Sequence, residues 1–95
     1  MMLARYSAAA SLDLEGIYST IAADNQPAAV RVIASIKHLV HLVAEYPGMG
    51  KSTEMPDVQK IIVPGFPYKI IYELDSRLGE LVILRIYHSA RNLSH

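Results

Sequence analysis

From residue 7 onward, apolar side chains recur with a helical period. Leu14, Ile17, Tyr18 and Ile21 fall at i, i+3, i+4 and i+7, and the alanines at 8–10 favour helix. Ser11, Asp13 and Glu15 lie off that stripe, which predicts an amphipathic surface helix from Ser7 to about Ala23. "ADNQP" interrupts the pattern, and Pro27 suits the first turn of a second helix with Asn25 or Gln26 near its cap. This second helix is expected from Pro27 to about Glu45, with Ala29, Ile33, Ile36, Val40 and Val43 as its stripe. Leu39 and Leu42 widen the stripe, so the second helix is predicted to be the more deeply buried. A linker this short makes the pair an antiparallel hairpin.

After Tyr46 the period shortens. "YPGMGKSTEMPD" is rich in turn residues and reads as a loop. Three β-type runs follow: "VQKIIV" (58–63), "YKIIYEL" (68–74) and "ELVILRIYH" (80–88), joined by "PGFP" and "DSRLG" as hairpin connections. In the second run Tyr68, Ile70 and Tyr72 share one side, with Lys69, Ile71 and Glu73 on the other. In the third, Leu81, Ile83, Arg85 and Tyr87 alternate with Val82, Leu84, Ile86 and His88. The apolar side is expected to pack on the helices and the mixed side to meet solvent or a ligand. "MLARY" (2–6) adds a short opening strand. The expected fold is α+β in the order β-α-α-β-β-β, a helical hairpin packed on a mostly antiparallel twisted sheet.

With 95 residues the chain has room for one core, so residues 1–95 are expected to form a single domain. It contains no cysteine, which removes disulfides, cysteine-based zinc sites and thiol catalysis, and fits a reducing cytosol. Asp13 and Glu15 interrupt the N-terminal segment before a signal-type apolar run, and no stretch approaches the roughly 18 consecutive apolar residues of a membrane span. The formal net charge of zero argues against binding nucleic acid by bulk electrostatics. Net charge does not report distribution, so a basic patch on one face remains compatible with it.

"GMGKST" (48–53) looks like the end of a phosphate-binding loop, G-x-x-x-x-G-K-[ST]. The first glycine of that motif would fall at Glu45, and the stretch follows a helix and precedes a loop, the reverse of strand-loop-helix. Glycines after a helix more simply end it. His38, His41 and Glu45 share a helix face but lack the i, i+4 zincin spacing and a second ligand cluster, so no metal is expected. Ser7, Ser11, Ser35 and Ser89 have no elbow context or paired base. Tyr68 and Tyr72 read as packing residues, and Lys60, Lys69 and Arg85 have the alternative of being ordinary solvated charges. No cofactor is expected.

Several of these stretches, in this order, carry a resemblance. D-L-x-x-I-Y (Asp13–Tyr18) leads into a helix opening P-x-A (Pro27–Ala29), then a P-x-x-G-K turn (Pro47–Lys51), P-Y-K-I-I-Y (Pro67–Tyr72) and a closing H-x-x-R (His88–Arg91). Over nearly the whole chain this resembles the RelE/ParE superfamily of toxins from bacterial type II toxin–antitoxin (plasmid stabilisation) modules. The resemblance implies a cytoplasmic toxin held inactive by a cognate antitoxin whose helix and extended tail wrap it. Operator DNA would be contacted only through the antitoxin.

The superfamily divides by target. RelE-like members cleave mRNA on the ribosome, and the positions matching their basic residues are Lys60, Lys69, Arg85 and His88. Metal-free cleavage needs proton transfer and charge stabilisation, and His88 alone among these titrates near neutrality when unperturbed. ParE-like members inhibit DNA gyrase without an established catalytic centre; there Lys51, Tyr87 and Arg91 are the candidate target-binding residues. Lys69 stands where cleaving members usually have an arginine fork, and lysine cannot make that bidentate contact. The chain also closes soon after H-x-x-R, without the C-terminal helix and late aromatic of some ribosome-dependent members, and it is neutral where a ribosome-docking toxin is usually basic. The expectation is therefore a ParE-like gyrase inhibitor. The alternatives are a RelE-like mRNA endoribonuclease and an inactive relic that only binds its antitoxin.

Overall fold

The computed structural model describes residues 1–90. It begins with strand β1 (Leu3–Tyr6), then helices α1 (Ala8–Ala22) and α2 (Gln26–Glu45). A 3-10 turn (Pro47–Met49) and strands β2 (Lys51–Ser52), β3 (Val58–Ile62), β4 (Tyr68–Asp75) and β5 (Glu80–His88) follow. The strands form one sheet in the order β1-β5-β4-β3-β2, antiparallel except for the parallel β1–β5 pair. The helical hairpin covers one side, giving the expected β-α-α-β-β-β plan. β2 is the addition: at two residues it is too short for any alternating pattern to reveal.

Both helices start where a polar side chain can cap them. Ser7 Oγ accepts from the Ala10 amide at 3.0 Å, and Asn25 Oδ1 accepts from the Ala28 amide at 3.0 Å. Pro27 sits in the first turn of α2, where its missing N–H costs nothing. α2 is the buried helix: Ala29, Val32, Ile36, Leu39, Val40, Val43 and Ala44 are all inside, with Val32 taking the place expected of Ile33. By length and composition α2 could also cross a membrane; here its apolar stripe faces the core. α1 rides on the surface, with Ala10 alone fully buried and Leu14, Ile17 and Ile21 half in.

Helix α2 ends at Glu45, before Pro47, without a left-handed glycine. Tyr46 closes it by donating its amide to Leu42 O at 2.8 Å, and Pro47 cannot continue the ladder. Gly50 has a different purpose from the terminator expected of it. A Cβ there would collide with the Tyr72 hydroxyl and come within 2.8 Å of the Lys60 carbonyl oxygen. Tyr72 is fully buried on β4. Its hydroxyl accepts from the Gly50 amide at 2.9 Å, and its one proton is shared between Pro47 O at 3.0 Å and Gln59 Oε1 at 2.7 Å. The "GMGK" segment is thus pulled down onto a buried phenol, which explains its glycine sterically.

Beyond this point the register of the central strands matters most. β4 and β5 pair regularly from Asp75↔Glu80 to Tyr72↔Ile83, and again from Ile71↔Arg85 to Tyr68↔His88. Leu84 is the extra residue between them, a β-bulge. Strict alternation would have put Arg85 and Tyr87 on the side of Leu81 and Ile83. The bulge instead leaves Leu81, Ile83 and Ile86 together in the core and sends Arg85 and Tyr87 to the opposite side.

Replacing Tyr72 with Phe removes the hydroxyl that ties the 3-10 turn to β4, and is expected to cost about 1–3 kcal/mol because buried partners lose their hydrogen bond. Burial raises the Tyr72 pKa above its ordinary value, only partly offset by the Gly50 amide. The folded state therefore holds this proton longer than the unfolded state does. That stabilising contribution is complete below about pH 10 and lost as pH rises through the raised folded value. Urea unfolding from pH 8 to 11 should show a steeper alkaline loss for the native chain than for Tyr72→Phe.

Candidate functional site

The cations gather on the side of the sheet turned away from the helices. Directly paired residues of an antiparallel ladder project to the same side. Lys51 pairs with Lys60, Lys60 with Ile71, and Ile71 with Arg85, making one row across four strands. The next row is Ile62, Lys69 and Tyr87. Lys60 and Lys69 are diagonal neighbours across β3 and β4, roughly 7–8 Å apart by ordinary sheet geometry. A groove of about 380 Å³ opens beside them, lined by Met49, Gly50, Lys51, Lys60, Ile62 and Lys69.

Electrostatics sets this face apart from the rest of a neutral chain. Among the described residues none of the three lysines is in an ion pair. Like charges directly opposite, as Lys51 and Lys60 are, destabilise a sheet, a cost that an anionic partner would relieve. Lys69 Nζ stands 5.8 Å from the centroid of the Tyr87 ring and Arg85 Cζ 6.0 Å from it, both within cation–π reach. The acids lie further along the same strands: Glu73 pairs with Val58 and Val82, and Asp75 with Glu80. Opposite charges are therefore segregated along the strand direction.

Arg85, although exposed, is held in an ion pair. Its Nε donates to Asp13 Oδ2 at 2.8 Å and its Nη2 to Asp13 Oδ1 at 3.1 Å. Asp13 Oδ2 also accepts from the Ile86 amide at 2.8 Å. The cause is topological. β1 stops at Tyr6 opposite Ile83, so among the described residues no strand lies beside the β5 edge beyond that point, and α1 lies there instead. The hydrogen bond and charge of Asp13 raise the Arg85 pKa further, against a small opposing effect of burial.

His88 is elsewhere. It pairs with Tyr68, so it projects toward the helices, and the two rings meet edge to face at 5.5 Å. Its Nδ1 accepts from the Ala90 amide at 3.1 Å. Together with Leu12, Gly16, Thr20 and Tyr68 it borders a second groove of about 430 Å³ between α1 and the sheet. The four residues considered for RNA cleavage thus do not form one cluster: Lys60, Lys69 and Arg85 share a side and His88 is on the other. Of the three considered for target binding, Lys51 and Tyr87 join the basic face, and Arg91 lies outside the described residues. Asp13 was visible in the sequence only as a polar residue off the helical stripe, and its partner 72 positions away left no local signal. Among the described residues no cluster of three or more metal-ligating side chains occurs.

Substituting Asp13 with Ala strips the β5 edge of its acceptor and is expected to cost about 1–3 kcal/mol of stability. Asp13→Asn, which keeps an amide oxygen for Ile86, should lose less. Denaturant midpoints of the two variants against the native chain measure the difference, and equal midpoints for all three would contradict the assignment.

Comparison with known proteins agrees with this fold. The family model described as the ParE toxin of the type II toxin–antitoxin system parDE matches residues 4–93. A protein named as a candidate toxin, Y4kP, from Sinorhizobium fredii is 29% identical over 85 residues, covering 90% of this chain and 85% of that protein. Among solved structures, the chromosomal ParDE system from P. aeruginosa superposes with a TM-score of 0.78 at 24% identity, over 93% of this chain and 96% of that one. The isolated E. coli RelE toxin gives 0.74 at 18% identity, over 98% and 89%. A chain of the E. coli RelBE toxin–antitoxin complex gives 0.73 at 18% identity, over 96% and 100%. At these identities the structural likeness establishes a shared fold.

Proposed function

The chain belongs to the ParE toxin family of type II toxin–antitoxin systems, and from that premise we propose that it is a cytoplasmic inhibitor of DNA gyrase, neutralised by a cognate antitoxin. The separation of His88 from the lysines carries this reading. Cleaving RNA without a metal requires a group that moves protons near neutral pH, positioned beside the groups that hold the phosphate. Among the described residues the basic face offers Lys51, Lys60, Lys69, an arginine already held by Asp13, and Tyr87. His88 points to the other side of the sheet. That arrangement supports docking on an anionic surface of the target rather than acid–base chemistry.

A second reading, ribosome-dependent mRNA cleavage, is favoured by one observation: three lysines that are in no ion pair among the described residues line a groove of about 380 Å³. In either case an antitoxin is the expected partner, since the RelBE structure is a toxin–antitoxin complex built on this fold. Leu12, Tyr46, Met49 and Ile62 are large exposed apolar residues that such a partner would cover. Operator DNA would then be reached only through the antitoxin.

Purified chain is expected to block gyrase supercoiling while leaving ribosome-bound mRNA intact. The Lys60→Ala/Lys69→Ala pair should weaken that inhibition roughly tenfold or more, the equivalent of about 1.4 kcal/mol of lost contact. Cuts in ribosome-programmed mRNA that disappear with His88→Ala would replace the gyrase reading with the nuclease one. Normal growth of cells induced for the chain alone would leave the relic that only binds its antitoxin.

A further inference from the structure

Arg85 and Tyr87 reach the basic face because β5 carries an extra residue, and the structure shows what holds that residue in place. In an ordinary strand successive carbonyls point to alternate edges. At the bulge, the carbonyls of Ile83 and Leu84 both point to the edge where β1 gives way to α1. One residue accounts for both. The Ser7 amide donates to Ile83 O at 2.9 Å, and the Ser7 hydroxyl donates to Leu84 O at 2.9 Å. The same hydroxyl oxygen accepts from the Ala10 amide at 3.0 Å as the cap of α1. Two residues further along, Asp13 takes the Ile86 amide. The doubled carbonyls are thus satisfied by a single serine at the junction of strand and helix.

We propose that Ser7 is a positioning residue for the target-contacting face: its hydroxyl pins the Leu84 bulge and thereby sets Arg85 and Tyr87 beside Lys60 and Lys69. The inference rests on the reading of that face as the one that meets the target. Without the hydroxyl, the Leu84 carbonyl at a half-buried edge loses the side-chain donor that holds it, and a bulge with a poorly satisfied group is less favourable than one without. The residues after it can then slide or rotate. Lys69 and Tyr87, directly paired and in cation–π contact, are the pair whose alignment reports this.

Two substitutions separate the clamp from the helix cap. Ser7→Asp keeps an acceptor for the Ala10 amide, and a carboxylate at a helix N-terminus caps well, but it has no proton to give Leu84. Ser7→Thr keeps both functions. The measurements are thermal unfolding, the Tyr87 ring-current shift on the Lys69 side-chain protons by NMR, and inhibition of the target by the full chain. Ser7→Asp should remain folded, lose the ring-current shift and weaken inhibition roughly tenfold, a factor in line with losing one buried hydrogen-bond donor. Ser7→Thr should match the native chain in all three. An unchanged Lys69–Tyr87 shift in Ser7→Asp would overturn the clamp, as would a Ser7→Thr variant that behaves like Ser7→Asp. If instead Lys60→Ala/Lys69→Ala retains full inhibition, the reading of the face fails and the bulge geometry is untouched by that result.

Discussion

On its β1 side, strand β5 runs out of neighbours halfway along its length, and much of the molecule's surface chemistry follows from how its stranded backbone groups are satisfied. Up to Ile83 the parallel partner β1 is present; from Leu84 on it is absent. An exposed edge of that kind invites pairing with another chain. Here α1 closes it, not with a strand but with two side chains, the Ser7 hydroxyl and the Asp13 carboxylate. The same helix that covers the core is therefore tied by hydrogen bonds to the strand that displays Arg85 and Tyr87. Packing and display are coupled through a few polar atoms.

A comparable economy governs the turn after α2. The buried Tyr72 phenol gathers Pro47, Gly50 and Gln59 onto β4 and β3, and Gly50 is the residue that leaves room for it. Lys51 follows immediately, so the anchor also fixes where the first lysine of the basic row stands. The phosphate-loop look of this stretch arises from steric accommodation of an aromatic hydroxyl. It has no helix N-terminus aimed at an anion.

Helices and long strands were legible in the sequence because burial imposes a period on them. Ile36, Val40 and Val43 of α2 and Ile70 and Tyr72 of β4 fall inside as their spacing requires. Recognition of the chemistry-bearing face was partial for a physical reason. A bulge adds one residue without altering composition, so the alternation of "LVILRIYH" reads as continuous while its second half is turned over at Leu84. β2 leaves no mark in the sequence because two residues carry no periodicity. The Asp13–Arg85 and Ser7–Leu84 contacts span most of the chain and depend on topology, which no local window contains. His88 and the lysines share a chemistry that the sequence cannot divide, and the strand register separates them.

The segregation of acids and bases along the strands has a consequence for encounter. With nine basic and nine acidic side chains the molecule has no monopole to draw it toward a polyanion. It does have a dipole, with Lys51, Lys60 and Lys69 near one pole and Glu73 and Asp75 near the other, where Glu80 is paired with Arg5 at 3.2 Å. Such a molecule is turned by a field before it is pulled by it, so an anionic partner meets it already facing the right way. Ionic strength then governs how often collisions are productive more than how tightly the final complex holds.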